Sequence, residues 1–230
     1  MVTLGIVGLF VHRQYSRPEI EIEDAPLPLE PVSLDEAAVA GAPTAQVILI
    51  EYGDFQCPAC AQFARLTAPF IDEYYVKPGR VRRVYRHYLL RPSDPITIKA
   101  AEVASCATRQ GRFWEVYRAF HTTGDLSGQP WFREHEGALD GLARRMGLNV
   151  DSFSACLRES ARRDIQMDVG SGKLLNVKAT PTLFVGIAEA DGRVRLKKRI
   201  VGFVSGPELA KTLDWILGDK DAAMHRSDGS

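Results

Sequence analysis

The apolar and polar positions change period several times along the chain, and each change marks an element. Residues 46–52 read Gln-Val-Ile-Leu-Ile-Glu-Tyr, a run of strand-forming residues. The run stops at Gly53-Asp54. Apolar residues then recur at helical spacing, with Ala61, Phe63, Ala64, Leu66 and Phe70 along one stripe. A helix is predicted over 58–75, ended by Lys77-Pro78-Gly79. A second strand is predicted over 81–90, although Arg82, Arg83 and Arg86 are odd company for a central strand.

From 92 to 168 the pattern is helical. An Ala-rich helix over 96–110 closes at Gly111, and Phe113, Trp114, Val116, Tyr117 and Phe120 form an aromatic face that reads as core. A loop is expected over 124–130 and a helix over 139–146, ended by Gly147. Asp151 is the expected N-cap of a helix over 152–159, and a further helix covers 161–175. Strand pattern resumes at 182–187, turns at Asp191-Gly192 and returns over 194–201. Ser205-Gly206-Pro207-Glu208 is a capping box, opening a last helix with Leu209, Leu213, Ile216 and Leu217 on one face. This order predicts an α/β domain made of 45–91 and 176–218, with a helical domain, 92–175, inserted in its middle.

The ends differ in composition. Residues 2–11 are an apolar run too short to span a bilayer and the size of a signal h-region, but Arg13 and Arg17 follow it rather than precede it. Residues 1–17 are therefore expected to be a membrane anchor or signal remnant, with a disordered tail as the alternative. Residues 18–44 carry five prolines and seven acids, the composition of an extended acidic linker. Residues 219–230 are expected to be a disordered tail.

With 230 residues and 45% apolar content the chain can build one domain with a substantial core, or one domain carrying an insertion. Basic and acidic residues balance at 29 each, so nothing points to nucleic acid. The charge is uneven: residues 1–45 hold two arginines against seven acids, and the remainder is correspondingly basic. Four cysteines are an even number, compatible with two disulfides in an oxidising compartment.

Cys57 and Cys60, in Cys-Pro-Ala-Cys, sit at the strand-to-helix junction. Cysteines three apart on a first helical turn share a face and are close enough to pair. Pro58 stands where proline is favoured, at the helix start. Cys57 is then at the helix N-terminus, where unpaired N–H groups and the macrodipole favour the thiolate. Such a motif could also be half of a zinc site or an inert disulfide. Zinc needs two more ligands at short spacing, whereas Cys106 and Cys156 are isolated and the histidines form no ligand pattern. No metal and no cofactor is expected. His87 and His121 read as structural or surface residues.

With Phe55-Gln56-Cys57-Pro58-Ala59-Cys60 at the first helix and Ala179-Thr180-Pro181-Thr182 before the hairpin, the chain resembles the DsbA-like thiol–disulfide oxidoreductases of the thioredoxin superfamily, over roughly 47–217. The resemblance implies a thioredoxin-like fold with an inserted helical domain. It implies a cis Pro181 beside the two cysteines, which frees the Thr180 backbone to pair with an extended substrate strand and keeps metal from the thiols. Glu51, six residues before Cys57, falls where similar proteins carry a buried acid. A carboxyl in an apolar strand has a raised pKa and can accept the proton of Cys60; the alternative is a strand-end Glu in solvent. Read as buried without a partner, Glu51 should be replaceable by Leu with a gain in stability. The Pro58-Ala59 dipeptide departs from the Pro-His of the best-known members, so no imidazolium stabilises the thiolate and a less oxidising site is expected. Cys106 and Cys156 read as buried free thiols or as a structural disulfide; an oxidising compartment and the helical-block disulfide of some similar proteins favour the second.

The expected function is thiol–disulfide exchange on cysteine-containing polypeptides in the periplasm or another extracytoplasmic space. The oxidase direction leads, with attack at an exposed Cys57 sulfur and reoxidation by a membrane redox partner; residues 1–17 would supply a tether. The alternatives are a reductase or isomerase, a redox-inactive peptide-binding chaperone on the same fold, and a metal-binding module.

Overall fold

Strand β2 (Val47–Gly53) is the middle of a five-stranded sheet whose order is β1-β3-β2-β4-β5. The computed structural model describes residues 27–35, 37–122, 141 and 144–218. β3 (Val81–His87) runs parallel to β2; β4 (Thr182–Ala188) and β5 (Val194–Val201) follow antiparallel, and β1 (Ala38–Ala40) pairs antiparallel with β3 at the other edge. All seven residues of β2 are buried, because both faces of the sheet are covered. Val47 and Leu49 point into one core, shared with Phe63, Ile71, Leu183, Val185, Leu209 and Leu213. Ile48, Ile50 and Tyr52 alternate onto the other face, with Val84, Leu175 and Phe184.

Between β3 and β4 the described residues include four helices: α3 (Pro95–Thr108), α4 (Phe113–Thr122), α5 (Val150–Glu159) and α6 (Ala161–Leu174). α3, α4 and α5 build a third core around Val103, Ala104, Phe113, Val116, Phe120 and Phe153, into which Phe55 and Tyr85 reach from the sheet side. Asp94 caps α3 by accepting from the Ile96 N–H at 2.9 Å, and Pro95 starts it. Arg86 of β3 and Asp168 of α6 pair at 2.6 Å, and the same carboxylate accepts the His87 N–H at 2.9 Å. The last helix, α7 (Gly206–Leu217), opens with the expected capping box.

Four local expectations need correction. Residues 38–40, assigned to the acidic linker, form the edge strand β1, and Val32 bridges Val194 through backbone bonds of 2.9 and 2.8 Å. Leu34, Ala37 and Ala38 supply the apolar contacts, a short alternation hidden among prolines and acids. The helix after the cysteines is interrupted: α1 (Pro58–Gln62) and α2 (Ala68–Ile71) alternate with π-helical turns at Phe63–Thr67 and Asp72–Val76. Pro69 has no N–H to give the preceding turn, a known cause of such a break. The N-cap of α5 is Asn149, whose Oδ1 accepts the Ser152 N–H at 2.9 Å, and not Asp151, which lies inside the helix. Finally, β3 is an interior strand despite its arginines, since Arg83 and Arg86 are buried against carboxylates.

The expected anchor at 1–17, the loop at 124–130 and the tail at 219–230 lie outside the described residues. No described helix is long and apolar enough to cross a membrane.

Candidate active site

β2 ends at Gly53, and the next four residues turn the chain so that Cys57 becomes the N-cap of α1. Asp54 holds this turn: its carboxylate accepts the Gln56 N–H at 2.8 Å and the Leu90 N–H at 2.9 Å, and its carbonyl accepts the Cys57 N–H at 3.0 Å. Cys57 is extended, with φ −84° and ψ 121°, and its carbonyl accepts the Ala61 N–H. Its side chain therefore projects beyond the helix end, among N–H groups that have no helical partner.

Both thiols are free. The Cys57 Sγ donates to the Thr180 carbonyl at 3.1 Å, and the Thr180–Pro181 bond is cis. That contact tucks the sulfur in: Cys57 is 7% exposed, less open than the sequence suggests, while Cys60 is at 0%. The two titrate apart. The hydrogen bond from Cys60 lowers the Cys57 pKa to about 6, against burial, with help from Thr180 and the Cys60 and Ala59 N–H groups. Burial, and then the Cys57 sulfur itself, push Cys60 well above its usual value; the Asp54 N–H opposes this through a hydrogen bond to the Cys60 sulfur. A groove of about 490 Å³ beside the site is lined by Pro58, Ala59, Gln62, Arg65 and Leu66.

Glu51 lies two residues before Gly53 and is fully buried, not at a solvated strand end. It is not without partners. Arg83 Nη2 pairs with Oε2 at 3.0 Å, and the Tyr117 hydroxyl donates to the two oxygens at 3.0 and 3.1 Å. Burial raises the Glu51 pKa, while Arg83 and Tyr117 hold the rise in check. Arg83 also pairs with Asp72 at 3.2 Å and lies over Trp114 and Tyr117, at 4.6 and 4.8 Å from their ring centroids. The sequence showed Arg83 as an anomaly of its strand. The signal was that a buried acid on one strand invites a buried guanidinium on the next. Tyr117, seen as one of a core aromatic face, carries the second contact.

His87 and His121 are structural rather than surface residues. Both are buried beside Phe55, at 6.0 and 5.2 Å between ring centroids, and burial drops both to about 3, so they are neutral across the working pH range. Cys106 of α3 and Cys156 of α5 are bonded to one another, with Cα atoms 5.7 Å apart, within the helical block rather than beside Cys57. Among the described residues no group of three or more His, Cys, Asp or Glu is placed to hold a metal ion.

A thioredoxin family model matches residues 33–198. The Na(+)/H(+) antiporter NhaA 3 of Salinispora tropica is 37% identical over 157 residues, 67% of this chain but 22% of that protein. The Na(+)/H(+) antiporter NhaA of Herminiimonas arsenicoxydans is 34% identical over 168 residues, 70% and 24% of the two. The chain thus spans about a quarter or less of the length of these curated relatives. Among solved structures, Wolbachia pipientis alpha-DsbA1 matches with a TM-score of 0.67 at 21% identity, covering 86% of this chain and 97% of that one. Oxidised BdbD from Bacillus subtilis matches with 0.66 at 21%, covering 82% and 96%. At such identities the likeness is one of fold, and that fold is a thioredoxin sheet with helices added between its third and fourth strands. The family model covers most of the chain, and the DsbA structures share its fold: the chain belongs to the thioredoxin family.

Proposed function

We propose that this protein is a thiol–disulfide oxidoreductase that acts on cysteine-containing polypeptides in the cell envelope, with Cys57 as nucleophile and Cys60 as resolving thiol. The observation that carries the reading is the opposition between the two sulfurs: one lowered to about 6 at a helix N-terminus, the other wholly buried and raised. In the oxidase direction a substrate thiolate attacks Cys57 Sγ, the Cys57–Cys60 bond breaks, and its electron pair leaves on Cys60. The substrate's second thiol then releases Cys57, and two electrons pass on to an oxidant, for which a membrane redox partner is the envelope's usual kind. Glu51 exchanges the proton of Cys60, and the Thr180 backbone beside Pro181 pairs with the extended substrate. The apolar groove along Pro58, Ala59 and Leu66 gives the polypeptide a surface next to the sulfur.

The second reading reverses the flow. A Cys57 pKa of about 6 lies nearer the value of about 7 typical of thioredoxin than the value of about 3.5 of DsbA, and no imidazolium stands at Pro58-Ala59. This favours a milder couple, open to reductase or isomerase work. The test is oxidation of a two-cysteine peptide by the pre-oxidised protein. Stoichiometric peptide disulfide is expected from the wild type and none from Cys57→Ala. Equal, slow oxidation by both would leave a redox-inactive peptide binder.

A further inference from the structure

Tyr117 of α4 is 1% exposed and sits in an aromatic cluster, with Tyr85, Trp114 and His121 at ring-centroid distances of 5.6, 5.5 and 4.7 Å. That packing would suit phenylalanine equally. The hydroxyl does what the ring does not. It crosses from the helical block to β2 and reaches both oxygens of Glu51, at 3.0 Å from Oε1 and 3.1 Å from Oε2.

The two partners of Glu51 differ in kind. Arg83 Nη2 lies 3.0 Å from Oε2, and a guanidinium donates in every state. It suits the carboxylate alone. Oε1 has the Tyr117 hydroxyl as its hydrogen-bond partner among the described residues. A proton arriving on Glu51 goes to Oε1, because Arg83 opposes it at Oε2. The new O–H then needs an acceptor in a site closed to solvent. A hydroxyl can donate or accept, so the phenol oxygen serves the acid as its hydrogen serves the carboxylate. The other charged or titratable groups facing the carboxyl are Tyr85 of β3, Asp72 of the second π-helical turn and Cys60 of α1. Burial holds both phenols well above their usual range, and His121 beside Tyr117 is neutral, so Tyr117 keeps its proton throughout.

We propose that Tyr117 is the positioning residue for proton exchange at Glu51: its hydroxyl donates to the carboxylate and accepts from the carboxylic acid, so that neither state leaves a buried polar atom unpaired. The inference rests on the exchange reaction and the role of Glu51 proposed above. When a mixed disulfide on Cys57 is resolved, Cys60 gives its proton to Glu51 and its electron pair forms the bond to Cys57 Sγ. The bond from Cys57 to substrate breaks, and its electron pair leaves on the substrate sulfur. The phenol turns from donor to acceptor as Glu51 takes the proton, and turns back when Glu51 releases it. The inserted block thus completes the acid's surroundings as well as covering the sheet.

The test is Tyr117→Phe, which keeps the ring and removes the hydroxyl. Protein carrying glutathione on Cys57 is prepared at low pH, and release of glutathione by Cys60 is followed after jumps to higher pH. The limb of the rate profile set by Glu51 is the one missing from Glu51→Gln. In Tyr117→Phe it should move upward by about one pH unit, because the carboxylate has lost a donor and the acid is harder to ionise. Alkylation of Cys57 should keep its midpoint near pH 6. In a Glu51→Gln background, Tyr117→Phe should change the release rate less than about twofold. In the wild type, infrared difference spectra should show the Tyr117 phenol band shifting with the Glu51 carboxyl band through one pH titration. An unmoved limb in Tyr117→Phe, an equal effect without Glu51, or a phenol band indifferent to the carboxyl overturns the role of Tyr117. A release rate that Glu51→Gln leaves unchanged at every pH overturns Glu51 as the proton acceptor, and this inference with it.

Discussion

Cys57 and Cys60 are three residues apart and move to opposite ends of the thiol range, because one caps a helix and the other is sealed beneath it. Alkylation of the reduced protein should therefore label Cys57 with a midpoint near pH 6 and leave Cys60 almost untouched; equal labelling rates would reverse the assignment of nucleophile and resolver. The shift also has a sign for stability. A thiol depressed from 9.0 to about 6 stabilises the folded, reduced protein fully above pH 9, and that contribution is lost as pH falls through 6. Glu51 shows what the sequence could not tell. Its burial was legible from its place in an apolar strand, but its partners were not, because Arg83 is thirty-two positions away and Tyr117 sixty-six. Leu at position 51 is therefore not the stabilising change that burial alone suggests: it strands a buried guanidinium with Asp72 as its remaining carboxylate. We predict that Glu51→Leu lowers the unfolding free energy by about 3 kcal/mol in a denaturant titration. Glu51→Gln should fold and slow turnover; unchanged turnover across the pH range would reduce Glu51 to a partner for Arg83.

At the scale of elements, the motif's surroundings were readable because strand, turn and helix each announce themselves within a dozen residues. Cys57 at an N-cap, Pro58 behind it and the capping box at Ser205 are local facts, and local chemistry decides them. β1 was not readable, since three residues at a sheet edge gain their stability from Tyr85, Val84 and Arg83, their partners on β3. Nor was the interior place of β3, which depends on carboxylates carried by other elements. The Cys106–Cys156 bond ties α3 to α5 across fifty positions. Closing a loop of that size restricts the unfolded chain by about 4 kcal/mol in the entropy model. Cys106→Ser with Cys156→Ser should lower the melting temperature by ~5 °C or more, while turnover below the transition stays close to wild type. A loss of turnover as complete as that of Cys57→Ala would mean that this pair passes electrons rather than staples helices.

For the whole molecule, the division of labour follows the sheet. One core under α2, the two π-helical turns and α7 fixes the strand that delivers Glu51 and Gly53. The helical block over the far end supplies Tyr117 and Phe113 and closes the space around Phe55. The order of strands and helices was visible in the sequence because the hydrophobic period changes at each boundary. The packing of the block against the sheet was not, because it rests on Arg86–Asp168 and an aromatic cluster drawn from the turn after β2, from β3 and from α4. The central claim is that Cys57 forms the covalent link to substrate and that Cys60 breaks it. The most direct measurement removes the resolving thiol and looks for the trapped link. Cys60→Ser is incubated with a peptide bearing one activated disulfide, and the product is mapped by mass spectrometry without reduction. The account predicts a stable mixed disulfide on Cys57 in nearly every molecule, with Cys106–Cys156 still joined. An adduct on Cys106 or Cys156 instead, or no adduct at all, would contradict it.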